Sequence, residues 1–188
     1  MVKVTKPKLG ERIADFACGT GGFLVSALNA LSEQAGESNE NREIYNNSVY
    51  GVEKKALPHI LCVTNMLLHD IDNPTIIHGN TLETDYKEYR KQEKFDLVLM
   101  NPPYGGNEKD SVKANFPMEL RSSETADLFM DIIMFRLKKD GRCAIILPDG
   151  FLFGTDNAKV NIKKKLLNEF NLHTIIRMPG SVFAPYTS

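Results

Sequence analysis

The sequence predicts an α/β fold, in which a mostly parallel sheet carries helices on both faces. The first observation is that short apolar runs typical of strands alternate along the chain with amphipathic segments typical of helices. The second is size, because 188 residues of which 42% are apolar suffice for one domain with a sizeable core. We therefore expect residues 1–188 to form a single domain.

The first half of the chain predicts three strands separated by two helices. The strands are Arg12–Cys18, Val49–Glu53 and Thr75–His78. One helix follows Gly19–Gly22, and the second spans Leu57–His69. Apolar residues at helical spacing mark the faces expected to be buried: Phe23, Leu24, Ala27, Leu28 and Leu31 in the first helix, and Leu57, Ile60, Leu61, Thr64 and Leu68 in the second. The polar stretch Gln34–Asn47 predicts a loop.

The second half predicts three more strands, Phe95–Met100, Cys143–Leu147 and His173–Arg177. The predicted helices are a charged segment Thr84–Lys94, then Asp127–Lys139 and Asn157–Phe170. We expect Thr125 to cap the second of these helices and Asp140-Gly141 to end it. The expected buried stripes are Phe129, Ile132, Ile133 and Leu137 in the second helix, and Ile162, Leu166, Leu167 and Phe170 in the third. Residues 105–125 predict a long loop that is either functional or disordered.

Charge and cysteine usage narrow the function classes. The net charge is −1, whereas a domain that held DNA by itself would usually be basic, so a DNA substrate would need positive surface from elsewhere. A phosphate-binding face could be formed by Lys159, Lys163, Lys164 and Lys165, but we prefer the interpretation that these lysines form the solvated side of their helix. Cys18, Cys62 and Cys143 lack metal spacing and predict reduced, buried thiols in a cytosolic protein. No apolar run is long enough to span a bilayer, and no signal peptide opens the chain.

Three polar tips follow strands and should line one crevice, because ligands of parallel sheets bind outside the carboxyl ends of the strands. These tips are Gly19–Gly22, Glu53 and Asn101–Tyr104. The glycine tip is neither Gly-x-Gly-x-x-Gly, since position 24 is Leu, nor a phosphate-binding loop with Gly-Lys-Ser/Thr. It suits a ligand without phosphate, or it is simply a tight turn between strand and helix.

Two further side chains end strands. Glu53 is placed to accept both hydroxyls of a ribose, or it is a solvent-facing acid. Asn80 could recognise an adenine edge through its amide, or it is a turn residue after Gly79.

The tip Asn101-Pro102-Pro103-Tyr104 is stiffened by its prolines, whose φ angles are fixed and whose nitrogens carry no hydrogen. It holds a side-chain amide, backbone carbonyls and an aromatic ring together. Such a set can bind a planar group with an amino substituent, through two acceptors for the NH₂ and one ring for its face. A strand-end turn with a surface tyrosine is the equally good alternative.

Asp15–Gly22 and Asn101–Tyr104 together resemble the paired signature of S-adenosylmethionine-dependent amino-methyltransferases that modify adenine N6 in DNA. The finer similarity is to the methylation subunit of type I restriction–modification systems. It is carried by Phe16–Leu24, Gly51–Lys54, Phe95–Gly106, Ala126–Phe129 and Gly141–Gly154, and it covers nearly all 188 residues.

The resemblance implies a Rossmann-like methyltransferase fold and assigns roles residue by residue. The implied S-adenosylmethionine contacts are Asp15, Ala17, Gly19, Thr20, Gly21, Glu53, Asn80 and Asn101. The implied catalytic set is Asn101, Pro102 and Tyr104, with Pro103 and Phe183 as further substrate contacts and no metal. The Asn101 side-chain oxygen and the Pro102 carbonyl would accept the N6 hydrogens of a flipped adenine, and Tyr104 would stack on the base.

The implied partners are double-stranded DNA and the specificity and restriction subunits of the same system, in the cytoplasm and not at a membrane. Family members carry a helical region before the glycine loop and a strand beyond Val182–Ser188. We expect this chain to be a catalytic core that lacks both, with weak activity alone and an unpaired sheet edge that favours self-association.

Two other function classes stay open. One is a methyltransferase acting on a protein glutamine or on RNA, because Asn-Pro-Pro-Tyr suits any planar amide or amine. The other is a non-catalytic fragment that binds the cofactor or takes part in assembly.

Overall fold

The computed structural model describes residues 1–85, 88 and 94–183 and is built around a five-stranded sheet. The strands are β1 (Ile13–Asp15), β2 (Val49–Glu53), β3 (Thr75–His78), β4 (Phe95–Met100) and β5 (Leu137–Ile145). Their order is β3-β2-β1-β4-β5, and each neighbouring pair is parallel. The predicted α/β class is therefore confirmed.

The described helices connect these strands. They are α1 (Val2–Thr5), α2 (Gly22–Ala35), α3 (Asn39–Asn46), α4 (Ala56–Leu68), α5 (Asp110–Lys113), α6 (Thr125–Arg136), α7 (Asp149–Phe153) and α8 (Asn157–Glu169). Short 3-10 turns lie at Thr81–Glu83, Met118–Leu120 and Gly180–Phe183. None of the helices in the described ranges has the length and apolar character that a membrane span requires.

Helices cover both faces of the sheet, as β4 shows. Leu97 and Leu99 belong to the core formed with α2, α3 and α4, whereas Val98 and Met100 belong to the core formed with α5 and α6. This alternation follows from the two-residue period of a strand, and all four side chains are fully buried. Burying each such side chain stabilises the fold by about 1.5–3 kcal/mol. A third cluster packs α6 against α7 and α8, so α6 is buried on nearly all sides.

The strand order creates a switch point beside β1. The chain runs from β1 outward to β2 and β3, and then returns to place β4 on the other side of β1. β1 and β4 pair directly, with Ile13 opposite Leu97 and Ala14 opposite Val98. The turns that follow these two strands therefore flank one crevice, which is where open α/β sheets bind ligands.

The predicted loop over Gln34–Asn47 is wrong, because α3 occupies most of it. Ser38 caps the helix by accepting the Asn41 N–H at 3.5 Å. Tyr45 is buried, and its hydroxyl donates to the His69 carbonyl at 3.0 Å. Tyr45 is the buried residue of this mostly polar helix, so no helical spacing of apolar residues predicted the helix.

The predicted buried face of α4 is also wrong. Leu57 is 68% exposed and Leu68 is 75% exposed, while Cys62 and Met66 are fully buried. Apolar residues lie on most sides of this helix, so periodicity alone did not determine its orientation. The residues predicted to be buried that instead face outward are Leu57, Ile60, Leu61, Thr64 and Leu68.

The boundary between α6 and β5 differs from the prediction. α6 begins at Thr125, with Glu124 and not Thr125 at the cap position, and it ends at Arg136. β5 then starts at Leu137, and Asp140 adopts a φ of 63° inside it. Asp140-Gly141 therefore makes an irregular turn within the strand and does not end the helix. The register confirms this, because Leu137 lies opposite Phe95 while Arg142 already lies opposite Leu97.

Residues 105–125 are folded, with α5 and the buried side chains Phe116 and Leu120. The strand predicted over His173–Arg177 is absent from the described structure, where this segment is irregular and Ile176 is 70% exposed. The predicted helix Thr84–Lys94 lies mostly outside the described residues. β1 is shorter than its prediction, and Cys143 is exposed, not buried.

The lysines of α8 are largely paired. Lys159 is 4% exposed, and its ammonium lies 2.7 Å from a Glu124 oxygen and 3.0 Å from an Asp127 oxygen. Lys165 pairs with buried Asp131 at 2.9 Å. The predicted solvated lysine face is therefore wrong for Lys159. Of the apolar stripe predicted for this helix, Ile162 is buried, Leu166 and Phe170 are partly buried, and Leu167 is exposed.

Candidate functional site

The glycine turn connects β1 to α2 through left-handed backbone. Gly19 has a φ of 56° and Gly21 a φ of 86°, values that residues with a Cβ rarely adopt. The Cys18 N–H donates to the Val52 carbonyl at 3.0 Å, which ties the turn to β2. A Cβ on Gly19 would meet no atom within 4 Å, so the turn presents open space on its outer side.

Asp15 ends β1 beneath this turn and is 2% exposed. Its carboxylate accepts the Ala17 N–H at 3.1 Å, which holds the first residues of the turn. Burial raises the pKa of Asp15 to about 7, the Ala17 hydrogen bond opposes that shift, and the charge of Glu53 adds to it. A carboxyl poised near neutrality at a strand end is typical of functional sites.

Glu53 ends β2 and faces the glycine turn. One carboxylate oxygen accepts the Gly19 N–H at 2.9 Å, and the other accepts the Lys55 N–H at 2.7 Å. The acid is therefore not a solvent-facing strand end, because only 8% of it is exposed. Together with Asp15 it places two carboxyl groups at the same crevice, which suits a ligand that has hydroxyl groups and positive charge.

Helix α4 supports the turn from below, which the sequence did not reveal. The Cys62 and Cys18 sulfur atoms lie 3.6 Å apart, and both thiols are free and buried. The Asn65 side chain donates to the Thr20 carbonyl at 2.8 Å. A Cβ on Gly21 would lie 2.8 Å from the Cys62 sulfur, so the helix packs directly against the glycine.

Asn80 follows β3 and caps the 3-10 turn that begins at Thr81. Its side-chain oxygen accepts the Leu82 N–H at 3.1 Å. Its amide nitrogen lies 3.5 Å from a Glu83 carboxylate oxygen. The structure therefore gives Asn80 a role in its own turn, at the same strand-end edge as Glu53, whose carbonyl accepts the Gly79 N–H at 3.0 Å.

The tip after β4 lies at the same edge of the sheet as the glycine turn, because β4 pairs in parallel with β1. Asn101 and Pro103 are exposed, Pro102 is buried, and Tyr104 is half-buried. The Tyr104 hydroxyl donates to the Asn101 side-chain oxygen at 2.5 Å. Burial raises the pKa of Tyr104, so the phenol stays protonated at neutral pH. The side-chain acceptor that the sequence analysis assigned to an amino group is thus held by a neighbouring hydroxyl.

Phe183 lies against this tip despite its distance in sequence. The Phe183 and Tyr104 rings are 6.3 Å apart between centroids and inclined at 71°, an edge-to-face pair. The structure therefore brings together Asp15, Glu53, the glycine turn and the Asn101–Tyr104 tip, with Phe183 beside that tip.

Two contacts that sequence reasoning missed anchor the loop beyond Tyr104. The Gly106 carbonyl accepts the Thr125 N–H at 3.1 Å and the Thr125 hydroxyl at 2.7 Å. The Lys54 ammonium lies 3.1 Å from a Glu108 oxygen and joins the β2 tip to this loop. These partners are 19 and 54 residues apart in sequence, so no local pattern could have found them.

Other concave surfaces lie away from this crevice. One open cavity of about 490 Å³ lies between the Met118–Leu120 turn and α8, and one of about 420 Å³ lies at the amino-terminal end of the strands, near Arg12 and Ser48. We place the candidate site at the crevice because the buried carboxyl groups of Asp15 and Glu53 and the polar tip Asn101–Tyr104 lie there. Within the described ranges, no group of three or more His, Cys, Asp or Glu is arranged to hold a metal ion.

Comparison with known proteins identifies the family of the chain. The family model described as N-6 DNA Methylase matches residues 1–188. The EcoEI type I methylase subunit of Escherichia coli is 49% identical over all of this chain and 38% of its own length. The EcoKI type I methylase subunit of Escherichia coli K12 is 30% identical over 97% of this chain and 35% of its own length.

Solved structures give the same result. The modification subunit of a putative type I restriction enzyme from Vibrio vulnificus superimposes with a TM-score of 0.93 at 42% identity, covering all of this chain and 40% of that protein. The chain thus spans between about a third and two fifths of the length of these three relatives. Because the family model covers the whole chain, the chain belongs to the N-6 DNA methylase family.

Proposed function

We propose that residues 1–188 are the catalytic core of a type I restriction–modification methylase subunit, which transfers a methyl group from S-adenosylmethionine to N6 of adenine in DNA. The observation that carries the proposal is the pairing of β1 with β4. This pairing puts the Asp15–Gly22 turn and the Asn101–Tyr104 tip on the two sides of one crevice. The Glu53 contact with Gly19 adds the carboxylate that a ribose requires at the same place.

The residues of the crevice fit this cofactor. Glu53 offers a buried carboxylate to ribose hydroxyls, and Asp15 offers a second carboxyl group toward a positively charged ligand. The open space beside Gly19 lets a ligand approach the backbone closely. The same crevice would hold the cofactor against Ala17, Thr20, Gly21, Asn80 and Asn101. When bound, the cofactor supplies an electrophilic methyl group on a sulfonium centre.

The chain's contribution to the chemistry is orientation. The Asn101 side-chain oxygen and the Pro102 carbonyl accept the two hydrogens of the adenine amino group, and this directs the nitrogen lone pair toward the methyl group. The crevice would hold the cofactor as the methyl donor, and the N6 proton that the adenine amine loses on methylation would pass to water. Asn101 is a neutral amide, so it positions the amine and does not remove the proton.

Substrate binding must rearrange the tip. The Asn101 oxygen has two lone pairs, and one of them already accepts the Tyr104 hydroxyl, so the adenine amino group would compete with that hydroxyl or use the second lone pair. One ring of the Tyr104–Phe183 pair must rotate, since edge-to-face rings do not sandwich a base. A flipped adenine would then stack on Tyr104, with Pro103 and Phe183 completing its pocket.

The proposed partners follow from charge and from the family. A net charge of −1 leaves the phosphate contacts of double-stranded DNA to other positive surface, which we assign to the specificity subunit and the remainder of the complex. The restriction subunit of the same system would join that assembly, in the cytoplasm where the DNA lies. β5 forms an edge of the described sheet, and we propose that isolated chains associate through it.

The test is a titration of the chain with S-adenosylmethionine by calorimetry, followed by transfer of a tritiated methyl group to unmethylated DNA. We expect binding by the chain, weak transfer alone and faster transfer once the specificity subunit is added. Asn101→Ala should abolish transfer while cofactor binding survives through the remaining contacts, whereas the control Asn168→Ala, on the exposed surface of α8, should change neither.

Near-normal transfer by Asn101→Ala would overturn the proposed chemistry. Binding without transfer in every assembly would instead indicate a non-catalytic fragment. Label that appears on RNA or on a glutamine peptide, and not on DNA, would change the substrate class.

A further inference from the structure

The catalytic tip is one end of a longer loop, and the other end of that loop is held firmly. The Gly106 carbonyl accepts both the Thr125 N–H and the Thr125 hydroxyl, at 3.1 Å and 2.7 Å. Thr125 is 3% exposed, so water competes little for these bonds. Gly106 is only two residues from Tyr104, so the position of its carbonyl constrains where the tip lies.

Thr125 also sets the space around Gly106. A Cβ on Gly106 would lie 2.8 Å from the Thr125 hydroxyl oxygen, closer than real Cβ atoms approach. Gly106 is not among the glycines with positive φ, unlike its neighbour Gly105 at 65°. The glycine at 106 is therefore required by the closeness of Thr125, not by an unusual backbone conformation.

Ion pairs with the buried Lys159 side chain in turn hold Thr125 in place. Glu124, at the cap position, precedes it and Asp127, in the first turn of α6, follows it, and both pair with the Lys159 ammonium, at 2.7 Å and 3.0 Å. The Ser122 hydroxyl donates to the Asp127 carboxylate. The Lys159 and Asp127 side chains are only 5% and 1% exposed, so the start of α6 is fixed to α8 inside the protein.

We propose that Thr125 is a positioning residue for methyl transfer. It acts through the Gly106 carbonyl to set where the Asn101–Tyr104 tip lies in the crevice, and the Lys159 ion pairs hold Thr125 itself. The inference rests on the proposed function, because only a reacting tip needs its position set so closely. The proposal gives α6 a role in the site, although α6 lies outside the motif Asn-Pro-Pro-Tyr.

The test follows the position of Tyr104 directly. The chain has six tyrosines, so 3-fluorotyrosine labelling gives a simple ¹⁹F spectrum in which Tyr104→Phe identifies the Tyr104 signal. Thr125→Val keeps the shape of the side chain and removes its donor, whereas Thr125→Ser keeps the donor. Thr64→Val is the matched control, because Thr64 is exposed on α4 and donates only within its own helix.

We expect Thr125→Val to shift or broaden the Tyr104 signal and to lower the transfer rate constant by about 10-fold to 100-fold, as small misplacements of reacting groups do. The dissociation constant for S-adenosylmethionine should stay near the native value. Thr125→Ser should restore both signal and rate, and Thr64→Val should alter neither. A role limited to stability would lower transfer and cofactor binding together and would leave the Tyr104 signal of the folded protein unchanged.

A second pair of variants keeps the test independent of any one substitution. Gly106→Ala should displace the Tyr104 signal through its contact with the Thr125 hydroxyl oxygen, and adding Thr125→Ala should remove that contact and leave only the displacement that Thr125→Ala causes alone. An unmoved Tyr104 signal in both Thr125→Val and Gly106→Ala overturns the proposal. Absence of transfer by the native protein counts against the proposed function, while the ¹⁹F signal still decides the positioning.

Discussion

Gly21 offers the sharpest quantitative prediction, because two separate physical effects meet at this residue. Its φ of 86° costs a residue with a Cβ about 1–2 kcal/mol. The added methyl would also lie 2.8 Å from the Cys62 sulfur and 3.2 Å from the Met66 terminal carbon, and such overpacking costs about 1–3 kcal/mol. Gly21→Ala should therefore reduce the free energy of unfolding by roughly 2–5 kcal/mol.

Two neighbouring glycines separate the effects. Gly19 has a φ of 56° but open space around its Cβ position, so Gly19→Ala should cost only about 1–2 kcal/mol. Gly22 begins α2 without a positive φ and without close neighbours, so Gly22→Ala should be neutral or stabilise by about 0.4–1 kcal/mol. In a Cys62→Ala background, Gly21→Ala should lose most of its packing cost and keep its backbone cost.

The measurement is urea unfolding followed by far-ultraviolet circular dichroism, with melting temperatures as a check. For a chain of this size, each kcal/mol corresponds to about 2–4 °C. The reasoning fails if Gly21→Ala costs no more than Gly19→Ala, or if the Cys62→Ala background leaves its cost unchanged.

Three further predictions concern the buried polar groups and the orientation of α4. Burial raises the pKa of Asp15 from 3.8 to about 7 in the folded protein. As the pH rises from 4 to 7, the Asp15 carboxyl therefore loses its proton in the unfolded chain before it does so in the folded protein, and the free energy of unfolding falls. Asp15→Asn should remove this loss, so the free energy of unfolding of the variant, measured by urea titration, should exceed that of the native protein by about 4 kcal/mol at pH 7 and above. If the difference between the two proteins is the same at pH 4 and at pH 8, the reasoning is contradicted. Lys159→Met should destabilise the fold by about 3–5 kcal/mol because it leaves the buried Asp127 carboxylate without its cation, whereas exposed Lys164→Met should cost less than about 0.5 kcal/mol in the same titration. Leu57→Ser should cost less than about 0.5 kcal/mol and Met66→Ala about 2–5 kcal/mol, and the reverse order would mean that α4 packs through its other face.

Several features followed from local chemistry. The bounds of β2, β3 and β4 match their predictions residue for residue, because each is a short apolar run between polar or glycine-containing segments. The neighbourhood of the Asp15–Gly22 turn and the Asn101–Tyr104 tip also followed, since parallel strands collect their carboxyl ends on one edge.

Parts of the site had no local signal. Cys62 and Asn65 support the glycine turn from a helix more than 40 residues away, and Thr125 holds the loop after the tip from the start of α6. Each contact joins side chains that are ordinary in their own segments. Only the packing of α4 and α6 against the sheet brings them to the crevice.

The amino-acid order was enough to establish the α/β class, three strands to the residue and the motifs that form the crevice. The folded chain alone decided which side of α4 faces inward, where α6 gives way to β5, and that Lys159 is buried among carboxylates. The physical reason is that the spacing of apolar residues indicates how much of a segment can be buried, but it does not indicate which other segment will pack against it. A charged side chain becomes an internal anchor only when distant carboxylates are brought within about 3 Å of it.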